Sequence, residues 1–157
     1  MSDDWIYGDR CNKSKMSKRY PVPPTFPIDQ PTYERWLRRK AIAHVRRDRK
    51  RSADAIVCED YRLRIHAAVC DHGTHDFYTG EALDWSLVST WNNDKAKAGR
   101  SVYKAGLALL PTVDHVARDG GWDFVICAWR TNDAKNDLSH DEFIALCRRV
   151  VAYADKD

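Results

Sequence analysis

The sequence predicts a mainly helical α+β domain whose sheet is a single β-hairpin, followed directly by a helix. Apolar residues recur at helical spacing in long segments of the chain, which predicts amphipathic helices. Two apolar runs of strand length stand on either side of a Gly-Gly pair, which predicts the hairpin. The chain has 157 residues, 43% of them hydrophobic, which suits one domain with its own core.

The first 30 residues differ from the rest in composition. They contain four prolines and a basic run, so we expect residues 1–30 to form an extended basic arm, ordered only where something holds it. A single globular domain is expected over residues 31–157. The chain has no run of 18 apolar residues and no apolar stretch near its N-terminus, and its five cysteines form no C-x-x-C pair. We therefore expect a cytoplasmic protein with free thiols and no membrane partner.

Two helices are predicted in the first half of the chain. Pro31 opens the first helix, which runs to about Lys50. Its apolar stripe at helical spacing consists of Trp36, Leu37, Ala41, Ile42 and Val45. The second helix is predicted from Ser52, as N-cap, to about Asp71, before Gly73. Its buried side is expected to consist of Ile56, Val57, Leu63, Ala67 and Cys70.

The second half is predicted to contain the hairpin. Residues 77–83 favour a strand with a tight turn, and residues 110–116 and 122–129 favour two strands joined at the Gly-Gly pair. A short helix follows from about Thr131. The last helix begins with a capping box, in which Ser139 is the N-cap and a Glu stands three residues on. The apolar face of this helix is formed by Phe143, Leu146, Cys147, Val150 and Val151.

The segment from Pro31 to Arg51 is strongly basic, although the net charge of the whole chain is only +3. Nine Lys or Arg stand against two acidic residues in this segment, which leaves +7. A solvated helix face and a phosphate-contacting surface both explain such a charge, and the sequence leaves the two open. The candidate contacts to nucleic acid in this segment are Arg38, Arg39, Arg46 and Arg47.

Asp114, His115 and Asn132 form the constellation that carries chemistry. The hairpin is expected to bring the end of its first strand against the first turn of the next helix, so that Asp114 and Asn132 meet. One carboxylate and one amide oxygen suit Mg²⁺ or Mn²⁺, with water and phosphate oxygens as the other ligands. His115 points to the other face of the strand, where a neutral imidazole can take a proton from an attacking water. Arg130 and Lys135 flank Asn132 as candidate phosphate contacts.

The order and spacing of these residues resemble those of the HNH or His-Me finger (ββα-metal) endonucleases. The resemblance covers about residues 76–136, and Asp123 stands in it where the family commonly has Asn. In chain order the matching residues are Tyr78-Thr79-Gly80, Asp114-His115, Gly120-Gly121, Asp123-Phe124, Asn132 and Lys135.

The resemblance implies a role for each matched residue. Asp114 and Asn132 would hold the metal ion, His115 would be the general base, and Asp123 would orient the histidine loop. Lys135 would support the helix or contact phosphate. Many relatives also hold a structural zinc, at positions that are here Asp76, Thr79, Ala128 and Thr131. Since none of these is cysteine, we expect no structural zinc and, in its place, apolar packing by Phe77, Trp122 and Trp129.

These features predict a metal-dependent endonuclease that uses one divalent ion. DNA is the expected substrate, with RNA also allowed, and a homodimer would supply the two sites needed to cut both strands. Two alternatives stay open: a non-catalytic nucleic-acid-binding protein on the same scaffold, and an interaction domain that binds no nucleic acid. Steeply salt-dependent binding would separate the last of these from the other two.

Overall fold

The structure, a computed structural model, describes residues 20–50, 57–90, 100–116 and 123–156. Within these ranges the chain is α+β and mostly helical, with one two-stranded antiparallel hairpin, as predicted. The elements are α1 (Gln30–Arg49), α2 (Cys58–His72), a 3-10 turn (Trp85–Leu87), α3 (Arg100–Gly106), β1 (Pro111–His115), β2 (Phe124–Ala128), α4 (Trp129–Lys135) and α5 (His140–Ala154). Most of the predicted arm and the predicted Gly-Gly turn lie outside the described residues.

Helix α1 begins at Gln30, within one residue of the predicted start at Pro31. Asp29 is its N-cap, and the Asp29 carboxylate accepts a hydrogen bond of 2.8 Å from the backbone N–H of Thr32. Pro31 stands in the first turn, where the N–H that proline lacks would have had no partner within the helix. The predicted start and end of this helix are therefore confirmed.

Helix α1 also closes the free edge of β1, because the two-stranded sheet leaves one edge of β1 without a strand neighbour. The Nε1–H of Trp36 donates to the carbonyl of Pro111 at 3.2 Å, and Nε2 of His44 lies 3.2 Å from the carbonyl oxygen of Val113. Side-chain donors thus pair with backbone acceptors that would otherwise be buried without partners. We call this contact the α1–β1 seam; its α1 residues, spaced by four, are Trp36, Lys40, His44 and Asp48.

Helix α2 corrects two predictions. The described helix begins at Cys58, because Val57 is in an extended conformation, so the predicted continuous helix through Val57 is wrong. The predicted N-cap Ser52 and the predicted buried residue Ile56 lie outside the described residues. The predicted buried face is wrong as well, since Val57, Leu63, Ala67 and Cys70 are exposed. The buried face consists instead of Tyr61, Arg62, Ile65, Ala68 and Val69. Both sets recur at helical spacing, and the set with the aromatic ring is buried: the Tyr61 ring lies 5.2 Å from that of Phe124.

Residues 77–83 form a tight turn and not the predicted strand. A single β-bridge between His75 and Ala82 closes the turn. The Asp76 carboxylate accepts the backbone N–H of Tyr78 at 2.9 Å, and Gly80 has a φ of +71°, which side-chain-bearing residues rarely adopt. The local hydrogen bonds of a turn therefore replace the ladder that a strand would need.

The core is rich in aromatic side chains. The rings of Phe26 and Trp85 stack at 4.0 Å between centroids, and Trp85 packs edge-on against Trp36 at 4.9 Å. Tyr20, from the segment predicted as an arm, is fully buried, and its hydroxyl donates to Glu59. At the other end of the chain, the capping box of α5 is confirmed, but no residue of α5 is buried.

Candidate active site

His115 lies at the end of β1 within a buried polar cluster. Nε2 of His115 is 3.2 Å from the Asp48 carboxylate and 3.0 Å from Nδ1 of His44, both on α1. The Tyr61 hydroxyl donates to the same Asp48 oxygen at 2.6 Å. Three elements of the fold therefore fix the His115 ring: β1 carries it, α1 supplies its two neighbours, and α2 holds the carboxylate in place.

The chemistry of His44 determines which nitrogen of His115 carries a proton. A carbonyl only accepts, so Nε2 of His44 must be the protonated nitrogen beside Val113. Burial, and after it the neighbouring His115, lower the pKa of His44 to about 2, so its Nδ1 keeps a lone pair. That lone pair accepts from Nε2–H of His115. In a neutral His115 the basic nitrogen is then Nδ1.

Asp114 points to the opposite side of β1 and is already paired. One of its oxygens accepts from the Tyr78 hydroxyl at 2.7 Å and lies 3.0 Å from Nζ of Lys135. Lys135 also donates to the backbone carbonyl of His115, at 3.3 Å. Burial, and then the Asp114 carboxylate, raise the pKa of Tyr78, which remains a hydrogen-bond donor at neutral pH. The carboxylate, hydroxyl and ammonium groups thus form a charge-balanced group beside the His115 cluster.

Asp114 and Asn132 are the residues predicted to hold a divalent cation. Asp114 supplies an anionic oxygen, and Asn132, half-buried on α4 one turn before Lys135, supplies an amide. Lys135 now neutralises the carboxylate, so a metal ion would compete with its ammonium group. No cluster of three or more His, Cys, Asp or Glu side chains suited to a metal ion occurs in the part of the chain that the structure describes. Water and substrate oxygens would have to complete the coordination.

Two other predicted site residues have exposed side chains. Asp123, predicted to orient the histidine loop, immediately precedes β2, and its backbone carbonyl accepts from the N–H of Val116 at 3.2 Å. The carboxylate that contacts the His115 ring is that of Asp48. Arg130, a predicted phosphate contact, forms an exposed ion pair with Glu81.

The α1 half of the site was not predicted from the sequence. Asp48 is one of the two acidic residues in the basic segment, and neither His44 nor Tyr61 was predicted as a site residue. A signal was present, because Lys40, His44 and Asp48 place three polar residues at four-residue spacing on a helix. That row predicts a buried polar contact only if β1 is known to lie beside it, and no local pattern gives that information.

Two of the four positions that the resemblance associates with zinc ligands are in contact. The Thr131 hydroxyl donates to Asp76 at 2.5 Å, and both side chains are buried. This polar contact stands where we expected apolar packing. Phe77 is instead exposed, and Trp129 lies under the ammonium of Lys104, 5.1 Å from its ring centroid. Trp122 lies outside the described residues.

The predicted nucleic-acid contacts on α1 fall on two sides of the helix. Arg39, Arg46 and Arg47 are exposed, whereas Arg38 is half-buried. Because 3.6 residues make one helical turn, one exposed row along α1 carries only positive charge. This row is formed by Arg35, Arg39, Arg46 and Lys50.

Comparison of the chain with models of protein families, with curated proteins and with solved structures gave no match. In the described residues, no helix has both the length and the apolar character needed to cross a membrane.

Proposed function

We propose that the protein is a metal-dependent endonuclease that hydrolyses phosphodiester bonds, with DNA as its substrate. The observation that carries this proposal is the contact of 3.2 Å between Nε2 of His115 and the carboxylate of Asp48. A histidine held by a buried carboxylate is the arrangement of a general base. Asp114, the residue before His115, lies on the opposite side of the strand and adds the anionic oxygen that a phosphoryl-transfer metal requires.

In the proposed reaction, Nδ1 of His115 takes a proton from the water that attacks phosphorus, the bond from phosphorus to the leaving oxygen breaks, and that oxygen takes a proton from solvent. The imidazolium that results is stabilised by Asp48, whose position the Tyr61 hydroxyl maintains. A divalent ion at Asp114 and Asn132 would supply positive charge for the transition state. Lys135, released from Asp114 by that ion, would be able to contact the phosphate.

Two features outside the His115 cluster support the resemblance to the His-Me finger enzymes. The hairpin leads into α4 without a connecting loop, so Asn132 follows β2 within one turn of helix. Asp76 and Thr131, two of the positions that hold zinc in many relatives, are joined by a hydrogen bond. The turn at Gly80 and the start of α4 are therefore connected by side chains, as a shared zinc ion would connect them.

The basic surface of α1 supports a nucleic-acid substrate. One of its exposed arginines, Arg39, lines a cleft of about 390 Å³ beside the start of β1, together with Lys40 and Trp129, among others. In this cleft Nζ of Lys40 donates to the hydroxyl of Thr112 at 2.6 Å, and burial lowers the pKa of Lys40 to about 8. The cleft and His115 stand at opposite ends of β1, about 13 Å apart. Positive charge along such a path provides affinity that does not depend on sequence.

The test is incubation of supercoiled plasmid with the full chain and Mg²⁺ or Mn²⁺, followed by gel electrophoresis. We expect nicking or linearisation by the wild type and a loss of at least about 100-fold in the His115→Ala variant. His66→Ala, which removes a half-buried histidine of α2, is the matched control and should cut normally. Cleavage that is the same in His115→Ala as in the wild type would refute the mechanism.

The second candidate is a nucleic-acid-binding protein that does not cleave. A specific observation favours it: Asp114 is 4% exposed and paired with Lys135, and His115 is 5% exposed, so both groups are satisfied within the protein. Binding would then depend on the basic row of α1 alone. Retention of DNA with a steep dependence on salt, without cutting under any metal condition, would establish this alternative.

A further inference from the structure

The cleft beside the start of β1 contains two positive charges and, among the described residues that line it, no acidic side chain. The two cations are Arg39 and Lys40. Neither forms an ion pair with an acid in the part of the chain that the structure describes. Burial, and beyond it the neighbouring Arg39 and Arg47, lower the pKa of Lys40 to about 8, whereas a bound anion would raise it. The charge of the cleft therefore suits an anionic ligand.

The walls of the same cleft are apolar and aromatic. The indoles of Trp36 and Trp129 line it, together with aliphatic side chains such as Val88 and Leu110. An indole offers a planar surface on which another ring system can stack. The volume of about 390 Å³ lies within the range of about 300–1,000 Å³ that small-molecule sites occupy. A ligand that joins an anionic group to a planar ring fits both halves of the cleft, and a nucleotide is such a ligand.

Contacts within the protein fix the aromatic walls. The Nε1–H of Trp36 donates to the carbonyl of Pro111 at 3.2 Å, which holds one indole against β1. The backbone N–H of Trp129 donates to the carbonyl of Leu110 at 2.9 Å, and the ammonium of Lys104 lies 5.1 Å from the Trp129 ring centroid. Because both rings are positioned without a ligand, binding requires little further ordering of the protein.

Ser89 adds a polar group in a strained conformation to the cleft. It lines the cleft with a φ of +70°, which residues that carry a Cβ rarely adopt. Such conformations persist where the surrounding structure imposes them, and they cluster at ligand sites. A serine hydroxyl both donates and accepts hydrogen bonds, so Ser89 can pair with the edge of a base or with a sugar.

We propose that this cleft binds one unpaired nucleotide of a single DNA strand, with its base against Trp129 and its phosphate between Arg39 and Lys40. The inference rests on the proposed function, because it specifies that the strand being cut is unpaired at the cleft. A base inside a duplex would have to leave its stack to reach an indole, whereas a single strand offers its bases directly. Negative supercoiling eases local unpairing, so a supercoiled plasmid also presents such strands.

The first test is isothermal titration calorimetry of the full chain in EDTA, where no divalent ion supports cleavage. The probes are deoxyadenosine monophosphate, deoxyadenosine and inorganic phosphate. The mononucleotide should bind at least about tenfold more tightly than either of the other two, because charge and ring both contribute. Equally tight binding of phosphate alone or of deoxyadenosine alone would overturn the proposal, since only one half of the site would then exist.

Two variants locate the binding at the cleft. Trp129→Leu should weaken the mononucleotide at least about fivefold and leave phosphate binding unchanged, because it removes only the stacking surface. Arg39→Ala should weaken the mononucleotide at least about threefold. The Arg39 side chain is exposed, so this variant keeps the test valid if the change at Trp129 disturbs α4. Arg149→Ala removes an exposed arginine of α5 and is the matched control, with binding like that of the wild type. Unchanged binding in both cleft variants would overturn the proposal.

The second test separates a nucleotide within a strand from a free nucleotide. Fluorescence anisotropy in EDTA compares one oligodeoxynucleotide as a single strand and as a duplex. The single strand should bind more tightly, and Trp129→Leu should abolish the difference. Equal binding of strand and duplex overturns the proposal, even if the free mononucleotide binds. These measurements exclude cleavage, so their failure leaves the plasmid test of the nuclease intact, and an inactive nuclease leaves the binding measurable.

Discussion

The α1–β1 seam and the exposed face of α5 use opposite chemistry in opposite environments. The seam is polar and buried: side chains of Trp36, His44 and Asp48 contact acceptors or donors on β1. The face of α5 is apolar and exposed. Each departs from the rule that apolar groups are buried and polar groups exposed. Such departures cost stability unless something compensates them, so they indicate where function is located.

The largest expected effect concerns Asp48, which positions His115 in the seam. Asp48→Asn keeps the shape of the side chain but removes the charge that stabilises the imidazolium, so we expect the cleavage rate to fall about 100-fold or more. The free energy of unfolding should change little or rise, because a buried charge is removed. Oδ1 of Asp48 finds no hydrogen-bond donor among the residues that the structure describes.

Plasmid cleavage over a range of pH, together with urea unfolding, measures both effects in the Asp48→Asn variant. If Asp48 only supports the fold, unfolding should become easier and the pH profile of the remaining activity should keep its shape. If Asp48 positions the base, the profile should shift while the fold remains as stable. Asp123→Asn is the matched control: its carboxylate is exposed, and the structure predicts cleavage close to that of the wild type.

A second prediction compares the two regions by removing one side chain from each. His44→Ala leaves the carbonyl of Val113 without its donor in the buried seam, which should lower the free energy of unfolding by about 1–3 kcal/mol. Val150→Ala on α5 should lower it by less than about 0.5 kcal/mol in dilute solution, because the side chain is largely exposed there. Urea unfolding of both variants at one low protein concentration provides the measurement. Equal losses would show that α5 is covered within the monomer.

The α1–β1 seam and α5 differ in how much of their structure can be predicted from the sequence. The start of α5 depends on neighbours three residues apart, so Ser139 and Glu142 identify it without knowledge of the fold. The ends of α1 and the two strands are likewise local. The buried face of α2 is not local, because Leu63 and Ile65 both belong to stripes at helical spacing, and the packing of α2 against α1 and β2 selects between them.

The residues of the candidate site also differ in whether the sequence predicts them. Asp114 and His115 belong to a recognisable motif, so the sequence identifies them. Asp48 is 67 residues earlier in the chain and reaches His115 only because α1 lies beside β1. Asp123 was predicted to orient the histidine loop because it matches a position of the family motif, which lies within the same hairpin. Contacts between distant segments depend on the packing of whole elements, which spacing within one segment does not reveal.

A third prediction uses pH to examine the seam. The pKa of His44 is lowered to about 2 in the fold, whereas an unfolded histidine titrates near 6.5. Below pH 6.5 the unfolded chain therefore binds a proton that folded His44 does not. The stability contributed by neutral His44 is complete above pH 6.5 and declines as pH falls toward 2, by at most about 1.4 kcal/mol per pH unit.

Urea midpoints of the wild type and His44→Asn, from pH 7.5 to 5, should converge as the pH falls. Curves that stay parallel would show that His44 is protonated in the fold.

The most local of the expected effects belongs to α5. Ser139→Ala removes the side chain that accepts the backbone N–H of Glu142, and it breaks the capping box. A lost N-cap costs about 1 kcal/mol, but the effect here should be confined to the helix, because no residue of α5 is buried. Amide hydrogen exchange should therefore accelerate in α5 and remain unchanged in β1 and α1. Faster exchange at β1 in this variant would mean that α5 supports the seam, and the two regions would then have to be treated as one cooperative unit.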